Sequence, residues 1–285
     1  MEEAPMRRAA RSGDGALLVL FAGLLLCFVP GIVALSRIWG SVEYQSHGYL
    51  VPIVALFLAL RERARFAAVP RQRSGVGLAG LLVALALYAV ASMGGWATLQ
   101  GVAMVGSVAA SLLWLRGPAA LRAMAFPVAY LLFMVPLPEP WVAPTIVRLR
   151  LFVTTAAVSL LHGLGIPVLR EGNSILLPGG ESLFVADACS GVTSLLTLLP
   201  LAVLVAFLTE RDGWRRAVLI ASVVPIALGF NLFRVLATVL AAQQIGVERA
   251  TAGALHEAAG LLVYAAGCVA LLAVGGLLRR LRPTT

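Results

Sequence analysis

Apolar runs close to the length of a bilayer crossing recur along this 285-residue chain, and nothing in the sequence constrains its fold more. A run of that kind must satisfy its own backbone hydrogen bonds once it is in lipid, which a helix does within one segment. With 60% of residues hydrophobic and only 12% charged, the expectation is an all-α polytopic membrane protein. Eight spans fit the pattern, at roughly 16–36, 48–60, 76–93, 97–115, 123–137, 191–208, 216–243 and 252–278. The second and fifth are short, so each is expected to extend by a turn into its flanks or to sit where the bilayer thins. The whole chain, 1–285, reads as a single integral membrane domain with an outer-face insertion at about 138–190.

A formal charge of +9 could serve nucleic acid, but the arginines stand in short clusters between apolar runs, not along one face, which argues against a nucleic-acid partner. They read as topology instead. Arg7, Arg8 and Arg11, the loop from Arg61 to Arg73, Arg116 with Arg122, the Arg211–Arg216 loop, and Arg279, Arg280 and Arg282 all fall on one side. The positive-inside rule makes that side cytoplasmic, with both termini inside. Trp39, Trp96 and Trp141 fall near helix ends on the other side, where interfacial anchors are expected.

Between the fifth and sixth spans, Pro136, Pro138 and Pro140 break the helix. Residues 141–164 look helical again. Arg148 and Arg150 near their middle would each cost about 2.5–3.5 kcal/mol at the bilayer centre, so an outer interfacial helix is the expectation. From 166 to 187, short β-prone runs are separated by Glu171-Gly172-Asn173 and Pro178-Gly179-Gly180. They read as a small sheet of two or three strands leading straight into Cys189.

Three chemical groups stand out against this apolar background. Cys189, with Ser190 beside it, sits where a strand gives way to the sixth span, and a helix N-terminus favours a thiolate. A buried structural cysteine capped by Ser190 and Thr193 is the competing account. Arg234 lies deep in the apolar run 217–242, where an ionised group marks a functional site by default. The competing account pairs it with Asp187 or Glu257. His256 gains weight from spacing, because Arg234 and His256 stand equally far in sequence on either side of Ile245, the turn between the last two spans. A straight antiparallel hairpin would bring them to the same depth. His47, in Ser46-His47-Gly48, is placed either to line the same vestibule or to cap the start of span two. Cys27 and Cys268 fall inside expected helices, and neither a CxxC nor an HExxH spacing is present, so no metal and no cofactor is expected.

The run Val185-Ala186-Asp187-Ala188-Cys189-Ser190-Gly191, then Asn231-Leu232-Phe233-Arg234, then His256 resembles the exosortase/archaeosortase family of membrane cysteine transpeptidases. Ser46-His47-Gly48 and Arg61 to Arg63 resemble that family's N-terminal pattern. The resemblance implies a membrane-embedded thiol protease and transpeptidase for protein sorting, in the bacterial inner membrane, with its site on the outer, periplasmic face. It implies substrates that are exported proteins ending in a Pro-Glu-Pro-type motif, a hydrophobic span and a basic tail. It further implies Cys189 as nucleophile, Arg234 on the oxyanion and His256 as acid and base, with the processed chain passed to an unknown acceptor nucleophile at the lipid surface. Asn231 or Glu257 could orient His256, with Asp187 and Ser190 beside the nucleophile. A transporter or channel with intramembrane Arg and His, and a membrane acyltransferase, are the competing classes.

Overall fold

Helices account for almost the entire protein, with one small sheet set among them. The computed structural model describes residues 3–185 and 191–280, with side chains described from Gly15 onward except at 254–256. Asp187, Cys189 and Ser190 therefore lie outside the described residues. The chain is an all-α polytopic membrane protein, and it falls into two compact units, Met1–Pro138 and Glu139–Thr285.

The first unit contains α1 (Glu3–Ser41), a 3₁₀ turn (Glu43–Tyr49), α2 (Val51–Arg61), α3 (Arg63–Ala68), α4 (Gly75–Gly94), α5 (Ala97–Arg116), α6 (Pro118–Ala123), α7 (Ala125–Tyr130) and a second 3₁₀ turn (Leu131–Met134). Cys27 lies in α1, as expected. The α4–α5 pair is a tight hairpin, with Gly77, Leu81, Ala84, Tyr88 and Ala91 forming the buried stripe of α4 at helical spacing. Small residues let the backbones close, as membrane helices require in the absence of a hydrophobic drive between them. A Cβ at Gly77 would collide with the backbone of Leu113 and Trp114.

Among the described residues, seven helices are long and apolar enough to cross a membrane: Gly15–Ser41, Gly75–Gly94, Ala97–Arg116, Glu139–Gly163, Val192–Thr209, Gly213–Ile245 and Glu257–Arg280. The expected second and fifth spans differ from these. Each is a chain of shorter helices with single-residue breaks, at Leu50 and Glu62 in the first case and at Met124 in the second. The ladder resumes across every break, with Val54 N–H to Leu50 O at 3.0 Å, Phe66 N–H to Glu62 O at 3.0 Å and Val128 N–H to Met124 O at 3.0 Å. Helical runs over 43–68 and 118–134 result. Residues 139–163, expected as an interfacial helix, form one helix of 25 residues that is itself of crossing length and composition.

Pro136 and Pro138 lack N–H groups, which removes two of the donors that could complete carbonyls at the end of this helical run. Three side chains donate to carbonyls of this stretch. His47 Nε2 donates to Phe133 O at 3.1 Å, Trp39 Nε1 to Met134 O at 3.0 Å and Thr98 Oγ1 to Pro136 O at 2.8 Å. Trp39 is consequently buried, at 6% exposure, instead of anchoring in an interface. Trp96 and Trp141 are exposed.

The second unit contains α8 (Glu139–Gly163), β1 (Leu169–Glu171), β2 (Ser174–Leu176), β3 (Ser182–Phe184), α9 (Val192–Thr209), α10 (Gly213–Ala221), α11 (Val223–Ile245), α12 (Val247–Thr251) and α13 (Gly253–Arg280), which carries Cys268. The strands form an antiparallel meander, β1-β2-β3, with Ile175 opposite Leu183. Glu171 faces Ser174 across a two-residue turn in which Gly172 takes φ +63°, a conformation that suits the strand twist and favours glycine. Val168, Ile175, Leu183 and Val185 are buried in one core with Val153, Ala157 and Leu161 of α8 and Val235 and Val239 of α11. The sheet is thereby fixed on α8 and α11.

We expect Gly77→Ala to destabilise the protein by about 1–3 kcal/mol, because helix backbone cannot yield as a side chain can. Gly80→Ala, whose added Cβ would meet Ala110 Cβ at an ordinary 3.6 Å, should be tolerated. Thermal unfolding in detergent distinguishes the two.

Candidate functional site

In the second unit two glycines, Gly191 and Gly260, mark close approaches to the helix that carries Arg234. Gly191, two residues after Cys189, has φ +80° at the start of α9, a backbone conformation costly to any residue with a Cβ. A Cβ placed there would lie 3.4 Å from Asn231 Cβ and 3.5 Å from its Nδ2. Asn231 is 1% exposed and sits three residues before Arg234, on the same side of α11. The start of α9 at Gly191 thus lies directly against the helix that carries Arg234.

Arg234 is half-buried, and its guanidinium lies on α13 at Gly260. A Cβ at Gly260 would sit 3.2 Å from Nη2 and 3.4 Å from Cζ, so the planar group occupies the space that a glycine leaves. His256 is four residues before Gly260, one helical turn along the same face of α13. The hairpin expectation is met with a shift. Residues 247–251 form the separate helix α12, so α13 begins at Gly253 and the guanidinium is level with Gly260, not with His256. One turn, about 5–6 Å, separates the two positions along the axis.

Two participants were not singled out from sequence. Gly260 carried no chemical signal, although its four-residue spacing from His256 could have drawn attention to it. Arg150 figured only as a cost of crossing. Its guanidinium stands 5.8 Å from the Phe184 ring centroid, so a second cation is held against β3. Glu257 is exposed on α13. His162 Nε2 donates to Val168 O at 2.6 Å and ties the end of α8 to the sheet.

His47 belongs to the first unit, in the polar turn ahead of the apolar part of α2. A carbonyl offers no hydrogen, so Nε2 carries the proton in its bond to Phe133. Gly48 leaves the space that the Trp39 indole fills, and Trp39 stacks edge-on against Tyr49 at 5.2 Å. Burial holds the imidazole below its ordinary range, and backbone hydrogen bonds at Phe133 and Tyr44 partly offset the shift. Ser46-His47-Gly48 is therefore built into the clamp on the broken fifth helix.

A family model described as transmembrane exosortase matches residues 39–273. No curated protein and no solved structure matches the chain.

Because the folded state disfavours protonated His47, that state binds fewer protons than the unfolded chain between the lowered pKa and about 6.5. The His47 contribution is complete above about pH 6.5 and is lost as pH falls through the folded pKa. An unfolding series from about pH 8 to about pH 5 should show stability dropping at the acid end. His47→Gln, which keeps a donor for Phe133 O without titrating, should flatten that drop. An unchanged pH profile would remove His47 as its source.

Proposed function

The chain belongs to the transmembrane exosortase family, and from that premise we propose that it cuts the C-terminal sorting signal of exported proteins through a thioester on Cys189. Membership carries a membrane transpeptidase type of activity in general. The finer reading is supported by one observation above the others. Asn231 and Arg234 on one face of α11 contact Gly191, two residues from Cys189, and Gly260, one turn from His256. The start of α9 and the helix that carries His256 therefore both lie against the helix that carries Arg234, which supports the reading.

In the proposed reaction the Cys189 thiolate attacks the scissile carbonyl carbon of the signal, and the carbonyl electron pair moves to oxygen. Arg234 holds that oxyanion with its planar pair of donors. Collapse breaks the C–N bond, and His256 gives its proton to the departing amine. The thioester is then attacked by an acceptor amine, which His256 deprotonates, and the thiolate is restored. Water in place of the amine would give a free carboxylate. Asn231 acts as a positioning residue that holds the turn at Gly191.

The arginine clusters suggest an active site on the outer face of the inner membrane. An exported protein halted by its hydrophobic span would present its motif there. A Pro-Glu-Pro-type motif followed by a span and a basic tail is the substrate class that the family resemblance suggests.

Co-expression with a protein carrying such a signal tests the reading. Cys189→Ala and Cys189→Ser should abolish processing, whereas Cys27→Ala and Cys268→Ala should leave it intact. Cleavage by a variant lacking all three cysteines would rule out the thioester. Arg234→Lys should lose about 10²–10³ in rate, since an ammonium acts as a point charge where a fork is needed. A lysine variant of near-normal rate would reduce Arg234 to a structural cation.

Gly260→Ala should lower processing about tenfold to a hundredfold by displacing the guanidinium, without unfolding the protein. Gly275→Ala, whose Cβ would meet Leu219 at 3.8 Å, should be silent. Equal rates for the two variants would sever Arg234 positioning from catalysis.

A further inference from the structure

The first unit contains a large apolar groove, about 780 Å³ in volume, that the proposed chemistry does not use. Leu17, Phe21 and Ile32 of α1, Ala55 of α2, Met104 of α5 and Leu131 line it. Its one charged lining residue is Arg63, exposed and at the end marked by Leu17 and Phe66. That end is strongly basic. Arg116 lies over the Phe66 ring at 4.3 Å, and Gln72 N–H bonds Arg116 O, which ties the 61–73 and 116–122 segments together. These segments carry Arg61, Arg63, Arg65, Arg71, Arg73, Arg116 and Arg122 against a single carboxylate, Glu62.

We propose that this groove is a binding site for an anionic phospholipid, with an acyl chain along the apolar wall and the phosphate at Arg63. Length and charge choose this occupant. From Leu17 to Ile32 the α1 wall runs about 22 Å at 1.5 Å per residue, enough for a whole acyl chain. The basic tail of a sorting signal would meet like charge at this mouth, whereas an anionic headgroup meets opposite charge. The inference stands on the groove and its arginines, independently of any role for Cys189.

The full-length protein, purified in mild detergent and returned to nanodiscs containing phosphatidylglycerol and phosphatidylcholine, supplies the test. Native mass spectrometry after release should find phosphatidylglycerol retained in preference to phosphatidylcholine at about one per chain. Arg63→Gln should weaken retention about fivefold. Leu56→Trp, at an exposed position on the groove wall, should remove it while the protein stays folded. Arg73→Gln, on the same basic face but outside the lining, should have a smaller effect than Arg63→Gln. Equal retention of the two lipids, no retention of either, or retention unaffected by both Arg63→Gln and Leu56→Trp would overturn the site. So would displacement of the lipid by a substrate's hydrophobic span. Because retention is read without any cleavage assay, its failure would leave the thioester reading untouched.

Discussion

A broken helix inside a membrane protein leaves carbonyl groups that no water is at hand to satisfy, and the first unit is organised around that demand. Proline is what creates it here. Phe133, Met134 and Pro136 would be stranded at the end of the fifth helical run, and His47, Trp39 and Thr98 complete them from three different parts of the chain. Each of those bonds also fixes a neighbour. Trp39 can reach Met134 because Gly48 leaves room for the indole, and Tyr49 O–H in turn donates to Ser36 O at 2.7 Å on the helix that carries Trp39. Loss of one donor would expose a buried carbonyl, at a cost of about 1–3 kcal/mol. The motif around His47 thus has a sufficient structural reason for its residue types, and the proline run explains why it is needed.

The second unit solves a different problem, the placement of charge among apolar helices, and it does so with glycine. A guanidinium in an apolar bundle needs a flat space and donors that remain available to a partner. Gly260 provides the space by removing a side chain from the facing helix, and Gly191 lets the start of α9 approach Asn231 closely. The core of Ile175, Leu183, Val235 and Val239 sets the frame by fixing the sheet against α11. Sheet, glycines and arginine are thus all held on one helix, α11.

Much of this was legible in the sequence, for physical reasons that differ from element to element. Long apolar runs identify themselves, so the helices over 75–94, 97–116 and 192–209 stand within a residue or two of expectation. Arg234 was conspicuous because charge in an apolar run is costly, and the β-prone segment because Gly and Pro punctuate it. The breaks at Leu50, Glu62 and Met124 fall on ordinary helix formers and last a single residue, so the helical runs 43–68 and 118–134 start earlier than the spans expected at 48–60 and 123–137. Trp39 looked like an interfacial anchor because sequence position alone cannot reveal a carbonyl 95 residues away. The depth of His256 shifted by a turn because nothing in Val247–Thr251 announces a separate helix at the tip.

The partition of charge between the units makes the final point about function. In the first unit Arg61, Arg63 and Arg122 stand exposed at helix ends, where they can face headgroups, and among the described residues its groove is apolar everywhere except at Arg63. In the second, Arg234 is held within a helix by its neighbours, with its backbone carbonyl also accepting from Thr238 Oγ1 at 2.9 Å. A cation at a helix end costs little and can be exchanged for another, because water and lipid phosphates can reach it. A cation held against Gly260 has no such freedom, since both the space and the neighbouring face are made for a planar group. That contrast, more than charge itself, separates the arginines that orient the protein from the arginine proposed to do chemistry.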